Sequence, residues 1–307
     1  MLSRARFATP LVLSLLPAAC VWTSDGGFAQ RHESSWEASV ASAPGSFAGE
    51  PIVVQGEGDV TIVGVAGLDH VRVTAGFYAG ANDDDDAEAA FHDVATQLSI
   101  TTWQDVWLVQ CNQAAADHGS AVASATGCSH MRIEVPQGTR EAPLVLTAST
   151  DFGGIHLSQV VVEGLSLRAP FGLVADVVPT DGAAMEIVGD DDLVSGMCSS
   201  WLRVPSGTAF DALTMSVSQL ERGYVGDDPD DPQFWLQVQL EGFDGAPTLA
   251  DHTRSWSGAL AGSGARVELA TVHADLGKAI VTTGEVPAAQ GNLCASLSLP
   301  GGWQTPE

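Results

Sequence analysis

The sequence is poor in positive charge. Its 307 residues include 12 lysines and arginines against 38 aspartates and glutamates, which gives a formal net charge of −26, and Lys278 is the only lysine. A surface of this sign repels phosphate backbones and anionic headgroups, so we exclude nucleic-acid binding and a polybasic membrane contact. The hydrophobic fraction of 45% is high enough for a large buried core, so the chain is not a disordered acidic polymer.

Long apolar runs are also scarce, and the one extended run lies at the N-terminus. Arg4 and Arg6 precede the apolar residues 7–16, and small residues follow before Cys20. This layout is typical of a secretory signal and is too short to span a membrane. We expect residues 1–19 to be a signal peptide. No later stretch reaches the ~18 apolar residues that a second anchor would need.

The end of this segment resembles the bacterial lipobox, in which a cysteine takes a diacylglycerol and becomes the mature N-terminus. The residues that carry the resemblance are Leu16, Pro17, Ala18, Ala19 and Cys20. The resemblance implies a lipid on Cys20 and a lipoprotein of the cell envelope, on the outer membrane. Proline stands where the motif usually has leucine. The alternative is cleavage after residue 29, which would release a soluble secreted protein.

Cysteine is sparse, and its use fits an oxidising compartment. Apart from Cys20 there are four cysteines, an even set without a Cys-x-x-Cys pair, which argues against a zinc site. Four cysteines allow three pairings. We favour Cys111–Cys128, which brackets a polar loop between two strand-like runs, together with Cys198–Cys294. Closing the first loop should stabilise the fold by about 3 kcal/mol in the chain-entropy model.

The 33 glycines and 15 prolines divide the chain into short elements. β-type runs recur at a spacing of roughly 8–14 residues, which predicts an all-β fold. Runs at 51–54 and 60–63 are predicted to form a hairpin across the turn at 56–59. One short helix is predicted near 84–98, capped by the preceding aspartates 83–86. Further predicted strands are 70–74, 98–103, 106–110, 131–135, 144–148, 155–163, 173–178, 185–188, 201–204, 213–218, 234–240, 266–272, 279–283 and 293–299.

Composition divides the mature chain into three parts. Residues 20–49 are rich in serine, alanine and glycine without sustained periodicity, and we expect a flexible tether there. Residues 50–220 form the first β domain. An Asp-Asp-Pro-Asp-Asp-Pro run at 227–232 separates it from a second β region, 221–307, which packs on the first or continues it.

A weak internal repeat runs through the β regions. Residues 128–139 and 198–208 each contain a cysteine, a short strand and a Pro-x-Gly step, and residues 294–302 echo both. Repeats of this kind suit a solenoid or a stacked β-sandwich, in which each unit buries its face on the next.

A family resemblance covers about residues 50–220. The segments that carry it are 58–64 (Gly-Asp-Val-Thr-Ile-Val-Gly), 71–73 (Val-Arg-Val), the acidic alanine-rich segment and 131–136 (Met-Arg-Ile-Glu-Val-Pro). In this order they resemble the adhesin domains of bacterial envelope lipoproteins, which have no assigned reaction. The resemblance implies a right-handed β-solenoid-like fold and a binding or structural role at the cell surface. An immunoglobulin-like sandwich is the alternative fold.

The sequence lacks the common catalytic motifs. It has no Gly-x-Ser-x-Gly elbow, no His-Glu-x-x-His and no phosphate loop. His130 and His156 lie on predicted strands and are expected to be ordinary surface residues. Three acidic clusters, at 83–86, 190–192 and 227–231, are either solvated turns and caps or calcium sites. The candidate calcium ligands are Asp190, Asp191, Asp192, Asp227 and Asp228.

Tryptophan is the other candidate for binding. Buried core residues are the expected role, and a sugar-stacking platform is the alternative. Trp103 and Trp107 would share one face of an unbroken strand. The remaining candidates are Trp201, Trp235, Trp256 and Trp303.

Three functions follow from these observations. We expect an exported, lipid-anchored surface module that binds a protein or glycan, without catalysis and without a cofactor. The second is a β-solenoid enzyme acting on polysaccharides, which would bring carboxylates together with one of the available arginines. These arginines are Arg132, Arg168, Arg203 and Arg266. The third is an envelope domain stabilised by calcium.

Overall fold

The computed structural model describes residues 32–81, 98–111, 125–151, 153–190, 199–218, 236–250, 253–261, 264–272 and 277–286. Every regular element in these ranges is a β-strand, which confirms the all-β class. The predicted helix lies outside the described residues, apart from Leu98, which begins a strand. The strands are β1 (His32–Ala41), β2 (Ile52–Gly56), β3 (Asp59–Val65), β4 (Arg72–Ala81), β5 (Leu98–Trp103), β6 (Val106–Cys111), β7 (Ala125–Pro136), β8 (Leu144–Thr150), β9 (Ile155–Ala169), β10 (Leu173–Asp190), β11 (Ser200–Arg203), β12 (Phe210–Val217), β13 (Gln237–Glu241), β14 (Ser255–Leu260), β15 (Ala265–Val272) and β16 (Lys278–Thr282).

Backbone hydrogen bonds arrange these strands into two ladders. The first ladder has the order β1-β4-β7-β3-β9-β10-β11-β16-β13, and the second has the order β5-β6-β2-β8-β9-β10-β15-β12-β14. The long strands β9 and β10 belong to both ladders, because their first halves pair in the first ladder and their second halves in the second. All sixteen strands therefore form one continuous sheet. Most pairs are parallel, and the antiparallel ones are β1–β4, β4–β7, β5–β6 and β12–β14.

Alternating burial explains why these segments form strands. In β3 the side chains of Val60 and Ile62 are buried and their neighbours are partly exposed, as a strand with one face on the core requires. Both ladders contribute to a single hydrophobic core, for example through Val54 of β2, Ile62 of β3 and Leu167 of β9. Burying each such side chain contributes about 1.5–3 kcal/mol.

The predicted hairpin between residues 51–54 and 60–63 is wrong. Strand β2 pairs in parallel with β6 and β8, whereas β3 pairs in parallel with β7 and β9. The turn residues 56–59 carry the chain from the second ladder to the first instead of folding it back on itself. The local turn signal was correct, but the strand partners come from distant parts of the sequence.

Part of the predicted tether is a strand. Strand β1 pairs antiparallel with β4 from His32 to Ala41, and Ala38 and Val40 pack against the edge of the core. The serine- and alanine-rich composition of this segment conceals the strand, because its stability comes from pairing with β4. Strand β14 was likewise not predicted, and the predicted strands 173–178 and 185–188 are both parts of β10.

Strands β14, β15 and β16 follow residue 221 and pair directly with strands that precede it. Strand β15 lies between β10 and β12, and β16 lies between β11 and β13. In both ladders, the strand that comes last in the sequence therefore lies between two strands that precede it in the sequence. The predicted strand 293–299 lies outside the described residues.

Candidate functional site

A groove of about 640 Å³ lies on the outer face of the first ladder, where β1, β4 and β7 run side by side. Strand register builds it from two rows of side chains. Ser39 pairs with Thr74, and Thr74 pairs with Arg132; in the next row Arg72 pairs with Glu134. The lining residues are Ser39, Val40, Ala41, Arg72, Val73, Thr74, Arg132 and Glu134.

Two arginines share one carboxylate in this groove. Arg72 Nη2 lies 2.8 Å from Glu134 Oε2, and Arg132 Nη2 lies 3.7 Å from Glu134 Oε1. The first contact is an ion pair at hydrogen-bond distance, and the second is too long for a hydrogen bond. Two guanidinium groups and one carboxylate leave a local charge of +1 on a chain whose net charge is −26.

Hydroxyl groups form one side of the groove. Ser39 Oγ and Thr74 Oγ1 lie 2.9 Å apart and are hydrogen-bonded. The Arg132 side chain beside them is 55% exposed. Within the part of the chain that the structure describes, Arg132 makes no closer polar contact than the one to Glu134. Its planar fork of donors is therefore open to a ligand from solvent.

A second polar cluster lies further along the same face, on β9, β10 and β11. Arg203 Nη1 donates a hydrogen bond of 2.7 Å to Asp176 Oδ2. His156 is half-buried near this pair; burial lowers the pKa of its imidazole, and the negative charge of Asp176 opposes that effect. His156 Nδ1 and Arg203 Nε are buried and have no hydrogen-bond partner. His156 is thus more enclosed than the ordinary surface residue expected from the sequence.

Stability should fall in acid because of His156. Its pKa in the folded protein lies below the ordinary value of 6.5, so the unfolded chain binds more protons as the pH falls through 6.5. We expect the free energy of unfolding to decrease from pH 7.5 to pH 5, and His156→Gln to remove part of that decrease. Urea denaturation at both pH values measures this. Ser158→Ala on the same strand is the control and should keep the wild-type pH dependence of stability. If His156→Gln kept that dependence as well, His156 would not be the cause of the loss of stability in acid.

The structure places the four candidate arginines in separate ion pairs. Arg132 contacts Glu134, Arg203 contacts Asp176, and the two on the second ladder contact other carboxylates. Arg266 Nε lies 3.1 Å from Asp211 Oδ2, and Arg168 contacts Asp190. The arginine side chains of these pairs are 41–71% exposed, so each pair contributes at most about 1 kcal/mol.

One of the predicted cysteine pairs lies within the described residues. Cys111 and Cys128 form a disulfide with their Cα atoms 6.2 Å apart, the pairing favoured from the sequence. The buried carboxylate of Glu57 accepts a hydrogen bond of 3.1 Å from the Cys128 backbone N–H. This contact ties the disulfide to the crossing between β2 and β3. Cys20, Cys198 and Cys294 lie outside the described residues.

The calcium candidates are described only in part. Asp190 is the one that the structure describes, and it contacts Arg168. Asp191, Asp192, Asp227 and Asp228 lie outside the described residues. Among the described residues there is no group of three or more metal-ligating side chains that could hold an ion.

The two tryptophans of the β5–β6 hairpin have different roles. Gln104 and Asp105 form its turn with positive φ angles of 49° and 61°. The turn breaks the strand between Trp103 and Trp107, so the shared face that an unbroken strand would give them does not form. Trp107 is buried, and its Nε1 donates a hydrogen bond of 3.2 Å to Glu50 Oε2. Trp103 is 68% exposed and faces solvent.

Sequence reasoning missed most of the groove. Arg132 was a candidate, but Ser39, Arg72, Thr74 and Glu134 were not. The alternation in β4, where Val73 is buried between exposed neighbours, could have placed Arg72 and Thr74 on the outer face. No sequence signal aligned them with Ser39 or Glu134, because that alignment depends on which strands pair.

Comparisons with known proteins identify no family for this chain and one distant structural similarity. No family model matches the chain. No curated protein matches it either. Among solved structures, the chain is similar to a protein from Clostridium sporogenes described as a "putative cell adhesion protein", with 11% sequence identity and a TM-score of 0.43 over 81% of this chain and 99% of that one. Within the described residues, no helix is long and apolar enough to cross a membrane.

Proposed function

We propose that the protein is an exported, lipid-anchored module of the bacterial cell envelope that binds a surface ligand through the groove on β1, β4 and β7. We propose that it binds this ligand without catalysing a reaction and without a cofactor. The observation that carries the proposal is the groove itself, a concave surface that presents an exposed guanidinium and paired hydroxyls. Its side chains stand on paired strands, which hold them more firmly than a loop would.

Two further observations support export. The Cys111–Cys128 disulfide suits an oxidising compartment. The first 20 residues have the layout of a signal peptide followed by a lipobox-like cysteine. A lipid on Cys20 would hold the folded part at the membrane surface without a transmembrane helix.

The anchor is tested by metabolic labelling with palmitate. We expect the wild-type protein to incorporate the label and to sediment with membranes, and Cys20→Ala to lose the label. A wild-type protein that is exported but unlabelled would overturn the anchor and favour cleavage after residue 29. Cys111→Ala serves as the control, since removing a different cysteine should leave the label in place.

The binding activity is tested on isolated cell envelopes stripped of their own copies of the protein. We expect the purified full-length Cys20→Ala protein, which lacks the lipid, to sediment with the envelopes saturably. Sedimentation that rises linearly with protein concentration would indicate nonspecific adsorption and would contradict a binding role.

A further inference from the structure

We propose that the groove on β1, β4 and β7 binds a carboxylate-bearing sugar, with Arg132 as the residue that receives the carboxylate. This inference rests on the proposed binding function and names its ligand class. The open fork of Arg132 is the central observation. Arg72 already holds Glu134 at 2.8 Å, whereas Arg132 lies 3.7 Å from the same carboxylate and stays more than half exposed.

Guanidinium geometry selects the ligand's charged group. The donors of arginine lie in one plane and match the two oxygens of a carboxylate in a bidentate contact. A ligand carboxylate could take the open side of Arg132 while Arg72 keeps Glu134 in place. The local charge of +1 would then be neutralised, and Glu134 would keep an ion-pair partner.

The rest of the row favours a sugar. Ser39, Thr74 and Thr61 are the neighbours of Arg132 across strands β1, β4 and β3. Adjacent strands lie about 4.8 Å apart, so this row places hydroxyl groups on both sides of the arginine within the span of a short oligosaccharide. Hydroxyls donate and accept hydrogen bonds, as the ring hydroxyls of a sugar require.

An acidic peptide fits this surface less well. A glutamate-rich peptide has carboxylates but no hydroxyl groups to pair with Ser39, Thr74 and Thr61, whereas an acidic sugar supplies both kinds of group. The net charge of −26 repels a long polyanion, although salt at physiological ionic strength screens this repulsion beyond ~8 Å. The charge therefore favours a short anionic ligand over a long one. A short oligosaccharide with one carboxylate per ring is therefore the ligand that the groove suits best.

Calorimetric titration of the full-length protein with trigalacturonate tests the proposal. We expect saturable binding that weakens by about tenfold or more in Arg132→Gln, the loss expected when a charged hydrogen bond is removed. Arg132→Lys keeps the positive charge but not the planar fork of donors, so its affinity should lie between those of the wild type and Arg132→Gln. Arg266→Gln removes an exposed arginine on the second ladder and should bind like the wild type. Circular dichroism establishes that each variant is folded.

Two other probes separate the alternatives. Maltotriose, a neutral trisaccharide, should bind at least about tenfold more weakly than trigalacturonate. Triglutamate carries carboxylates on a peptide, and equal or tighter binding of triglutamate would overturn the proposal in favour of an acidic peptide ligand. Absence of trigalacturonate binding would also overturn it. Because envelope sedimentation is measured separately, a protein that binds envelopes but not trigalacturonate would retain the proposed function and lose only this ligand class.

Discussion

Gly58→Ala should destabilise the fold by about 3 kcal/mol or more, through overpacking at a position where backbone must move. A Cβ on Gly58 would lie 2.2 Å from the carbonyl oxygen of Ser129 and 2.5 Å from that of Cys128. A Cβ on Gly153 would likewise lie 2.2 Å from the carbonyl carbon of Gly58. Three segments, from β7, the β2–β3 crossing and the start of β9, are thus stacked backbone to backbone.

Urea denaturation of Gly58→Ala measures the effect, and Gly164→Ala is the matched control. A Cβ on Gly164 would meet the Val145 side chain at 3.3 Å, which a small adjustment can relieve. We expect the control to stay within about 1 kcal/mol of the wild type. Equal stability of the two variants would contradict the close backbone packing of β7, the β2–β3 crossing and the start of β9.

Removing the Cys111–Cys128 disulfide should cost about 3 kcal/mol. The two cysteines are 17 residues apart in sequence, and closing a loop of this size restricts the unfolded chain by about that amount. The double variant Cys111→Ala, Cys128→Ala avoids leaving a free thiol. Chemical denaturation under oxidising conditions should show a lower unfolding midpoint than the wild type, with Cys198 and Cys294 intact in both proteins.

A reducing agent provides the second arm of this experiment. Reduction should lower the wild-type midpoint and narrow the difference between the two proteins. If the oxidised double variant lay within about 1 kcal/mol of the wild type, the disulfide would not be a main restraint on this loop.

The strand content could be predicted because alternation and turn residues are local signals. The predicted bounds 98–103 match β5, which ends at the turn residues Gln104 and Asp105. Strand β1 escaped prediction because its serines and alanines show little contrast between faces. The predicted hairpin failed for a different reason: glycine at residues 56 and 58 indicates a change of direction but does not say which strand comes next in the sheet. In this fold the parallel partners lie far apart in the sequence.

Only single residues of the groove could be predicted, because the strands that form it lie far apart in the sequence. The alternation of β7 places Arg132 and Glu134 on one face, but their meeting with Arg72 and Ser39 depends on the order β1-β4-β7. That order is set by long-range pairing and by the burial of both ladders in one core. The disulfide was more accessible to sequence reasoning, since its two cysteines bracket a single loop.

The central claim is that the groove on β1, β4 and β7 is the binding surface. Sedimentation with isolated envelopes tests it most directly when Arg132→Gln and Arg266→Gln are compared in the Cys20→Ala protein. We predict that Arg132→Gln loses most of its saturable binding and that Arg266→Gln binds like its parent. Equal binding by the two variants would contradict the claim.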